Sequence, residues 1–251
     1  MAPENGLLPG GRRLFGEVAV VTGASRGIGL AIAKTLASEA CSVVISGRSQ
    51  QTIEEAAAAV RRARSGDERI VPLVCEVRDA HAVEQMFTMV REQFGRLDIL
   101  VNNAGLSQPM LPIEEISIEL WRELLDTNLT GMFLCTKFAL PLMQRGATIV
   151  NTLSAASKTG FPSFAAYNSS KFGALGFTLT LREELKQRGI RVTALIPGAT
   201  DTDIWKQLWP DAPRDKMMDA KSIASLVLEA VVLSPGANLT ELVLDPIGGA
   251  L

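Results

Sequence analysis

The chain has 251 residues, of which 47% are hydrophobic and 21% are charged, a composition typical of a globular protein and not of a disordered one. Its net charge of −2 lacks the basic excess of a nucleic-acid binder, and no apolar run approaches the ~20 residues that cross a bilayer. Three separated cysteines without a CxxC pair argue against a disulfide framework or a cysteine-built zinc site, so no metal is expected and the reducing cytoplasm is favoured.

Short apolar runs alternate with longer amphipathic runs beyond residues 1–13, which are rich in Pro and Gly and predict a flexible leader. The predicted strands are Val18–Thr22, Val43–Ser46, Ile70–Cys75, Leu97–Val101, Ala147–Leu153, Arg191–Ile196 and Glu241–Leu244. The predicted helices are Ile28–Ser38, Thr52–Arg64, Ala80–Phe94, Ile118–Met143, Phe164–Arg188 and Ser222–Leu233.

Strands that are almost continuously apolar and alternate with helices are typical of a parallel sheet covered on both faces. Right-handed crossovers then give a doubly wound sheet. The expected fold is therefore a single α/β domain over residues 14–251, a doubly wound, Rossmann-type parallel sheet of about seven strands flanked by helices. Ligands of such sheets bind at the carboxyl ends of the strands.

A glycine-rich turn, TGASRGIG at residues 22–29, joins the first strand to the first helix. Glycines let the backbone approach a pyrophosphate, and the helix start offers unpaired N–H groups and the positive end of the helix dipole. The spacing is GxxxGxG and not the GxGxxG of the dinucleotide fingerprint. A turn without a ligand is the alternative reading.

Tyr167 is the only tyrosine of the chain, and Lys171 follows it by four residues, which puts both on one face of the predicted helix. A nearby ammonium favours the phenolate and lowers the pKa of a tyrosine, which suits acid–base chemistry. The alternative is an ordinary exposed helix pair. Hydrolysis by a Ser-His-Asp triad is not favoured, because the only histidine is His81 and no GxSxG turn is present.

Six motifs follow one another along the chain: TGASRGIG at 22–29, NNAG at 102–105, Asn128, Ser154, YNSSK at 167–171 and PG at 197–198. In these motifs, their order and the thirteen-residue step from Ser154 to Tyr167, the chain resembles the short-chain dehydrogenase/reductase family. The likeness covers nearly the whole chain and includes the NADP-dependent reductases of ketones and of β-ketoacyl carrier proteins.

The resemblance implies a role for each catalytic candidate. Tyr167 would exchange the proton, Ser154 would polarise the carbonyl, and Lys171 would lower the pKa of Tyr167 and hold the nicotinamide ribose. Asn128 would support a water in a proton relay, whereas an Asn that only hydrogen-bonds the backbone is the alternative. Asn102 would stabilise the sheet.

The resemblance also implies a dinucleotide site. The expected cofactor-binding residues are Gly23, Ser25, Arg26, Gly27, Ile28, Gly29, Arg48, Glu76, Val77, Asn103, Ala104, Gly105, Tyr167, Lys171, Pro197, Gly198, Thr200 and Thr202.

The end of the second strand predicts NADP(H) as the cofactor. An acidic residue there would bind the 2′-hydroxyl of NAD, whereas arginine accommodates a 2′-phosphate. The chain has Gly47 and Arg48 at this place, with Arg26 in the glycine loop as a second cation. Solvated surface charges are the alternative for both arginines. After the third strand, Glu76 stands where the family usually has Asp.

The segment Ala199–Met218 is expected to form a lid over the substrate, and its apolar residues predict an apolar pocket or a lid packed on its own protein. Leu153 and Ser157 depart from the family pattern beside Ser154. Basic lid residues could meet an acidic carrier protein, but a solvated face is the simpler reading: Lys206, Arg214 and Lys216.

The predicted activity is hydride transfer between NADP(H) and a small-molecule carbonyl or secondary alcohol, with a β-ketoacyl thioester as one candidate substrate. A non-catalytic NADP-binding regulator and a purely structural subunit are the alternatives. Helix 164–188 carries one apolar stripe with Phe172, Leu175 and Leu179 and another with Phe177 and Leu181. Because covering a sheet needs one stripe, the second predicts a homo-oligomer, a tetramer by resemblance.

Overall fold

The computed structural model describes residues 12–234 and 236–249. Of the predicted leader, residues 1–11 lie outside the described part. Arg13, at the end of that prediction, is anchored by ion pairs with Glu39 at 2.9 Å and Glu229 at 2.8 Å. The folded domain therefore already includes Arg13.

A seven-stranded sheet in the order β3-β2-β1-β4-β5-β6-β7 forms the centre of the molecule. Every neighbouring pair is parallel. The predicted α/β fold is confirmed. The strands are β1 Val18–Val21, β2 Ser42–Gly47, β3 Ile70–Val74, β4 Leu97–Asn102, β5 Met143–Thr152, β6 Arg191–Pro197 and β7 Glu241–Leu244.

Helices cover both faces of this sheet, and side chains cap several of them as expected for helix starts. Ser49, Asp79 and Asp219 each accept a hydrogen bond from a backbone N–H of the following turn. Among residues 12–234 and 236–249, no helix has the length and apolarity that crossing a bilayer requires. The helices are α1 Gly27–Ser38, α2 Gln50–Arg61, α3 Ala80–Phe94, α4 Ile118–Leu125, α5 Gly131–Ala139, α6 Ala165–Leu185, α7 Trp205–Leu208 and α8 Ala220–Val231.

The prediction of one long helix over Ile118–Met143 is wrong. A π-helical segment, Asp126–Thr130, separates α4 from α5. The helix then ends at Ala139, because Pro141 has no N–H to donate to the preceding turn. Met143 already belongs to β5, where it pairs with Leu97.

Two apolar layers hold the domain together. On one face of the sheet, Ile32 of α1 and Val227 of α8 pack on the strands, and on the other face Phe87 of α3 and Leu181 of α6 do so. Because both faces are covered, the loops at the carboxyl ends of the strands are the part of the sheet left for a ligand.

Candidate active site

A cleft of about 600 Å³ opens at the carboxyl ends of the strands. Most predicted site residues line it, although they come from seven separate segments of the chain. Gly29 and Asn128 do not line the cleft and pack behind it. The predicted residues that line it are Gly23, Ser25, Arg26, Gly27, Ile28, Arg48, Glu76, Val77, Asn103, Ala104, Gly105, Ser154, Tyr167, Lys171, Pro197, Gly198, Thr200 and Thr202.

The glycine loop packs tightly against the NNAG segment. Gly23 has a φ of +62°, and a Cβ there would lie 2.7 Å from Cα of Ala104. A Cβ at Gly29 would lie 2.4 Å from Nδ2 of Asn103. A side chain at either glycine would push the glycine loop away from the NNAG segment. Gly29 therefore shapes the cleft although it does not line it.

Thr22 joins the same two segments through its side chain. Its Oγ1 accepts hydrogen bonds from the backbone N–H groups of Asn103 and Ala104, both at 3.0 Å. Thr22 is the first residue of the TGASRGIG motif, and the family resemblance implies no role for it. Its buried hydroxyl fixes where NNAG meets the glycine loop.

The start of α1 fits a pyrophosphate. Arg26 precedes the helix, and its side chain makes no capping hydrogen bond to the N–H groups of the first turn. This uncapped end faces the cleft, where a phosphate could use the free donors and the helix dipole. The residues present thus fit a dinucleotide at this end of the cleft.

At the other end of the cleft, the first turns of α6 hold Tyr167 and Lys171 beside Ser154. Tyr167 is 9% exposed and Lys171 is 5% exposed. Nζ of Lys171 donates to the carbonyl of Thr152 at 3.1 Å and lies 5.7 Å from the Tyr167 ring centroid. Oγ of Ser154 accepts the N–H of Ala156 at 3.2 Å, a hydrogen bond that does not use the hydroxyl proton of Ser154.

Burial governs the ionisation of both titratable groups. It raises the pKa of the Tyr167 phenol, and the interaction with Ser154 acts in the opposite direction. It lowers the pKa of Lys171 to about 8. The pKa of Tyr167 therefore moves opposite to the prediction, because desolvation of the phenolate outweighs the help of its neighbours. Near neutral pH Tyr167 is a phenol, the form that can donate a proton.

Asn128 lies in the π-helical segment and uses its whole amide for bracing. Its Oδ1 accepts the N–H of Leu106 at 2.8 Å, and its Nδ2 donates to the carbonyl of Leu106 at 3.0 Å and to Oγ of Ser170 at 2.9 Å. Ser170 in turn donates to the carbonyl of Tyr167 at 2.7 Å. Asn128 thus ties the loop after NNAG to α6, while the proton relay stays a prediction.

Asn102 lies behind the cleft and joins three elements. Its Nδ2 donates to Oδ1 of Asn151 on β5 at 2.8 Å and to Oγ1 of Thr136 on α5 at 3.0 Å. This is the sheet-stabilising position that the resemblance implied.

The far end of the cleft, beyond β2 and β3, is positively charged. Arg48 and Arg26 are exposed there, and Arg26 lies 3.8 Å from the carboxylate of Asp203. The Glu76 carboxylate forms an ion pair with the Arg78 guanidinium, with 2.7 Å between Oε2 and Nη2. This ion pair lowers the pKa of the Glu76 carboxyl. No acid stands at the end of β2 itself, and the two nearby carboxylates, those of Asp203 and Glu76, face Arg26 and Arg78.

Around Ser154 and Tyr167 the cleft is mainly apolar, and the lid lies over it. Trp205 is fixed to the end of β6 through a hydrogen bond from its Nε1 to the carbonyl of Thr200 at 2.8 Å. Two of the basic lid residues, Lys206 and Arg214, are paired with lid carboxylates. The apolar lining consists of Leu106, Met110, Leu153, Phe161, Phe164, Ile204, Trp205, Leu208 and Trp209.

Two residues that shape the site are not among the predicted site residues. Gln108 is fully buried and donates and accepts hydrogen bonds beside Tyr167. Asn168, next to Tyr167, donates to the carbonyls of Ala156 and Thr159 and so holds the loop that carries Ser154. Asn168 belongs to the YNSSK motif, whereas Gln108 belongs to none.

Known proteins resemble this chain along most of its length. A sequence profile of the family described as short chain dehydrogenase matches residues 17–213. A 3-oxoacyl-[acyl-carrier-protein] reductase of Synechocystis sp. is 39% identical over 78% of this chain and 78% of its own. A 3beta-hydroxysteroid dehydrogenase of Mediterraneibacter gnavus is 36% identical over 75% of this chain and 67% of its own.

A solved structure extends the likeness to the fold. The alcohol dehydrogenase of Thermococcus sibiricus, complexed with 5-hydroxy-NADP, superposes with a TM-score of 0.84 and 31% identity, covering 92% of this chain and 97% of its own. The matched profile spans the glycine loop, Ser154, Tyr167 and Lys171. On this evidence the chain belongs to the short-chain dehydrogenase/reductase family of oxidoreductases.

Proposed function

We propose that this protein reduces the carbonyl of a ketone or aldehyde with NADPH, and that the same site oxidises the alcohol in reverse. The observation that carries the proposal is the meeting of Ser154, Tyr167 and Lys171 at one end of a cleft whose other end is an uncapped helix start. NADPH supplies the hydride when it is bound. The chain supplies the proton and the positioning.

Tyr167 gives its proton to the carbonyl oxygen as negative charge develops there. Ser154 is a preorganised donor to the same oxygen, because Ala156 already occupies an acceptor position of its hydroxyl. Burial keeps the phenol protonated, since it raises the pKa of Tyr167. Reduction therefore starts from the protonation state that predominates near neutral pH.

Lys171 holds the ribose hydroxyls of the cofactor and stabilises the phenolate that remains after proton transfer. Its Nζ already donates to Thr152 and has further protons to donate into the cleft. The pKa of about 8 leaves the ammonium form predominant near neutral pH. Asn128 supports this end of the site by bracing the loop at Leu106.

Arg48 and Arg26 select NADP(H) over NAD(H) by binding the 2′-phosphate. Both lie at the far end of the cleft, near Gly47. The NADP analogue named for the Thermococcus sibiricus structure supports this reading. The two arginines add attraction, and the missing carboxylate at Gly47 removes repulsion of the phosphate.

The substrate is an apolar ketone, as the lining of the cleft and the two lid tryptophans suggest. One relative is named as a 3-oxoacyl-[acyl-carrier-protein] reductase and another as a 3beta-hydroxysteroid dehydrogenase. The first name makes a β-ketoacyl thioester the second candidate. Delivery by an acidic carrier protein gains little support, because Lys206 and Arg214 are engaged within the lid.

A panel of carbonyl compounds tests the activity. NADPH consumption is followed with 2-tetralone, with the N-acetylcysteamine thioester of acetoacetate and with benzaldehyde. The proposal expects turnover of at least one of them, and 2-tetralone as the best. Tight NADPH binding without turnover of any would favour a non-catalytic NADP-binding protein, and no binding at all would favour a structural subunit.

The protein acts as a homotetramer in the cytoplasm. Phe133 and Phe172 lie on the outer faces of α5 and α6 and are 44% and 45% exposed, which suggests that another subunit covers them. Cys41, Cys75 and Cys135 are free and buried, as a reducing compartment allows.

A further inference from the structure

Gln108 is a fully buried amide that joins three segments near the cleft without lining it. It lies in the loop after β4. Its Oε1 accepts a hydrogen bond from the backbone N–H of Tyr167 at 2.9 Å, and its Nε2 donates to the carbonyl of Ser163 at 3.1 Å. The orientation of the amide follows from these partners, because an N–H needs an acceptor and a carbonyl needs a donor.

The N–H of Tyr167 depends on this partner. Tyr167 is the third residue of α6, and the first four N–H groups of a helix have no acceptor within the helix. Phe164, which precedes the helix, provides no side-chain cap. Gln108 therefore caps this helix start, although it lies 59 residues before Tyr167 in the chain.

The second contact of Gln108 holds the turn that leads into α6. Ser163 has a φ of +65°, in the left-handed region that a residue with a side chain rarely adopts. Its carbonyl accepts two hydrogen bonds, one from Nε2 of Gln108 and one from the N–H of Leu111 at 3.0 Å. Both donors come from the loop after β4, so that loop fixes the start of α6.

We propose that Gln108 is a positioning residue, which acts through the backbone of Tyr167 to keep the phenol beside Ser154. It touches neither substrate nor cofactor. The catalytic consequence rests on the proposed function, whereas the position of the phenol can be measured without turnover.

Two variants of Gln108 and one control separate positioning from general stability. Gln108→Met keeps the length of the side chain and removes both hydrogen bonds. Gln108→Glu reproduces both when protonated, because a carboxylic acid has one acceptor and one donor, and loses the donor when ionised. Thr178→Val, in the same helix, removes a buried hydroxyl that bonds Ala174 and Asn151 and leaves the first turn intact.

The first readout needs no substrate. Because Tyr167 is the only tyrosine, a chain labelled with ¹³C at tyrosine Cζ gives a single NMR signal. The proposal expects wild type and Thr178→Val to share one sharp signal, and Gln108→Met to give a displaced or split one. An unchanged signal in Gln108→Met would overturn the proposal.

The second readout is steady-state reduction of 2-tetralone by NADPH. For Gln108→Met we expect kcat to fall by roughly 10- to 100-fold, since a displacement of about 1 Å can cost this much, with the KM for NADPH unchanged. For Gln108→Glu we expect activity close to wild type at low pH and a loss on raising the pH that begins at a lower pH than any loss in wild type and Thr178→Val.

The outcomes keep the two proposals apart. If wild type reduces no ketone, the proposed function fails, and the tyrosine signal still decides about Gln108. If wild type is active but Gln108→Met keeps its kcat and its signal, the positioning role is wrong even where stability falls. Should Gln108→Met not fold, the pH profile of Gln108→Glu decides, and a profile parallel to wild type contradicts the proposal.

Discussion

Tyr167 and Lys171 are both deeply buried, and this explains why their ionisation departs from that of exposed side chains. The phenol is kept neutral and the ammonium is weakened. A buried charge without an opposite charge nearby destabilises a folded protein. Lys171 is thus expected to lower the free energy of unfolding, although the proposed reaction needs it.

Lys171→Met tests this cost. Between the pKa of about 8 in the folded protein and the ordinary 10.5, the unfolded chain binds more protons, so wild-type stability rises with pH across this window. Below a pH of about 8 Lys171 is charged in the folded protein, and its burial lowers the free energy of unfolding by the full amount. Lys171→Met should therefore be more stable than wild type near neutral pH by about 2 kcal/mol, after allowing ~1 kcal/mol for the lost hydrogen bond to Thr152.

Urea unfolding of wild type and Lys171→Met measures the difference near pH 7 and again at about pH 10. The excess stability of Lys171→Met over wild type should be smaller at the higher pH, because Lys171 of folded wild type is then largely neutral. A variant that is less stable near pH 7 would show that the ammonium is stabilised in the fold and that its lowered pKa is wrong.

Tyr167→Phe keeps the aromatic ring and removes the proton donor. We expect reduction to fall by ~10²–10⁴, the effect of losing a positioned general acid. NADPH binding should be nearly unchanged, because the ring still fills its place. Turnover is measured at saturating NADPH, with fluorescence titration of NADPH as the control. Near-normal turnover in this variant would rule out Tyr167 as the acid.

The end of β2 is the element that selects the cofactor. Arg48→Ala should lower the affinity for NADPH by roughly 10- to 150-fold, the contribution of one charge-assisted hydrogen bond. It should leave the affinity for NADH nearly unchanged. Gly47→Asp should go further and favour NADH. A Cβ at Gly47 would lie 3.4 Å from Ile53 and 3.6 Å from Ser25, so the backbone can accept a side chain there.

Titration of each protein with both cofactors gives the four affinities needed for each comparison. Salt screens the attraction between the exposed arginines and the 2′-phosphate, and should therefore reduce the preference for NADPH over NADH. One ionic strength is kept throughout. Equal affinity of wild type for NADPH and NADH would contradict the role of Arg48 and Arg26 without touching the role of Tyr167.

The strands could be predicted from the sequence far better than the region between β4 and β5. Strands buried on both faces are apolar throughout, so Val18–Val21 and Arg191–Pro197 are found within a residue or two. The first four residues of β5 are not predicted as strand, because the three that follow Met143 are exposed. The π-helical segment around Asn128 leaves no mark on helical periodicity.

The same limit applies to the site. Ser154, Tyr167 and Lys171 stand in motifs shared with the short-chain dehydrogenase/reductase family, and the resemblance to that family picks them out. Gln108 bonds a residue 59 positions away, and this contact depends on how two loops pack. The pKa of Tyr167 likewise depends on burial by the assembled cleft, which the spacing of Tyr167 and Lys171 does not reveal.

The assembled domain leaves apolar surface on α5 and α6. Phe172 and Leu179, from one predicted stripe, are 45% and 43% exposed, while Leu181 of the other stripe is buried in the domain. Phe133 on α5 packs edge-on against Phe177. A symmetric interface could pair this face with its copy in a second chain.

Light scattering at micromolar concentration tests the assembly. We expect a mass of several chains for wild type and a smaller assembly for Phe172→Glu, which places a charge on the exposed face. Ile113→Glu is the matched control, because Ile113 is 74% exposed and lies away from α5 and α6 in the chain. A wild-type mass of 26.9 kDa, that of one chain, would refute the proposed oligomer.

Hydride transfer itself can be followed with NADPH that carries deuterium at both C4 positions. After incubation with 2-tetralone and wild-type protein, mass spectrometry of the alcohol should find one deuterium at the carbinol carbon, and Tyr167→Phe should yield at least ~10²-fold less of it. If wild type binds NADPH tightly yet forms no deuterated alcohol from any carbonyl of the panel, the protein is not the reductase described.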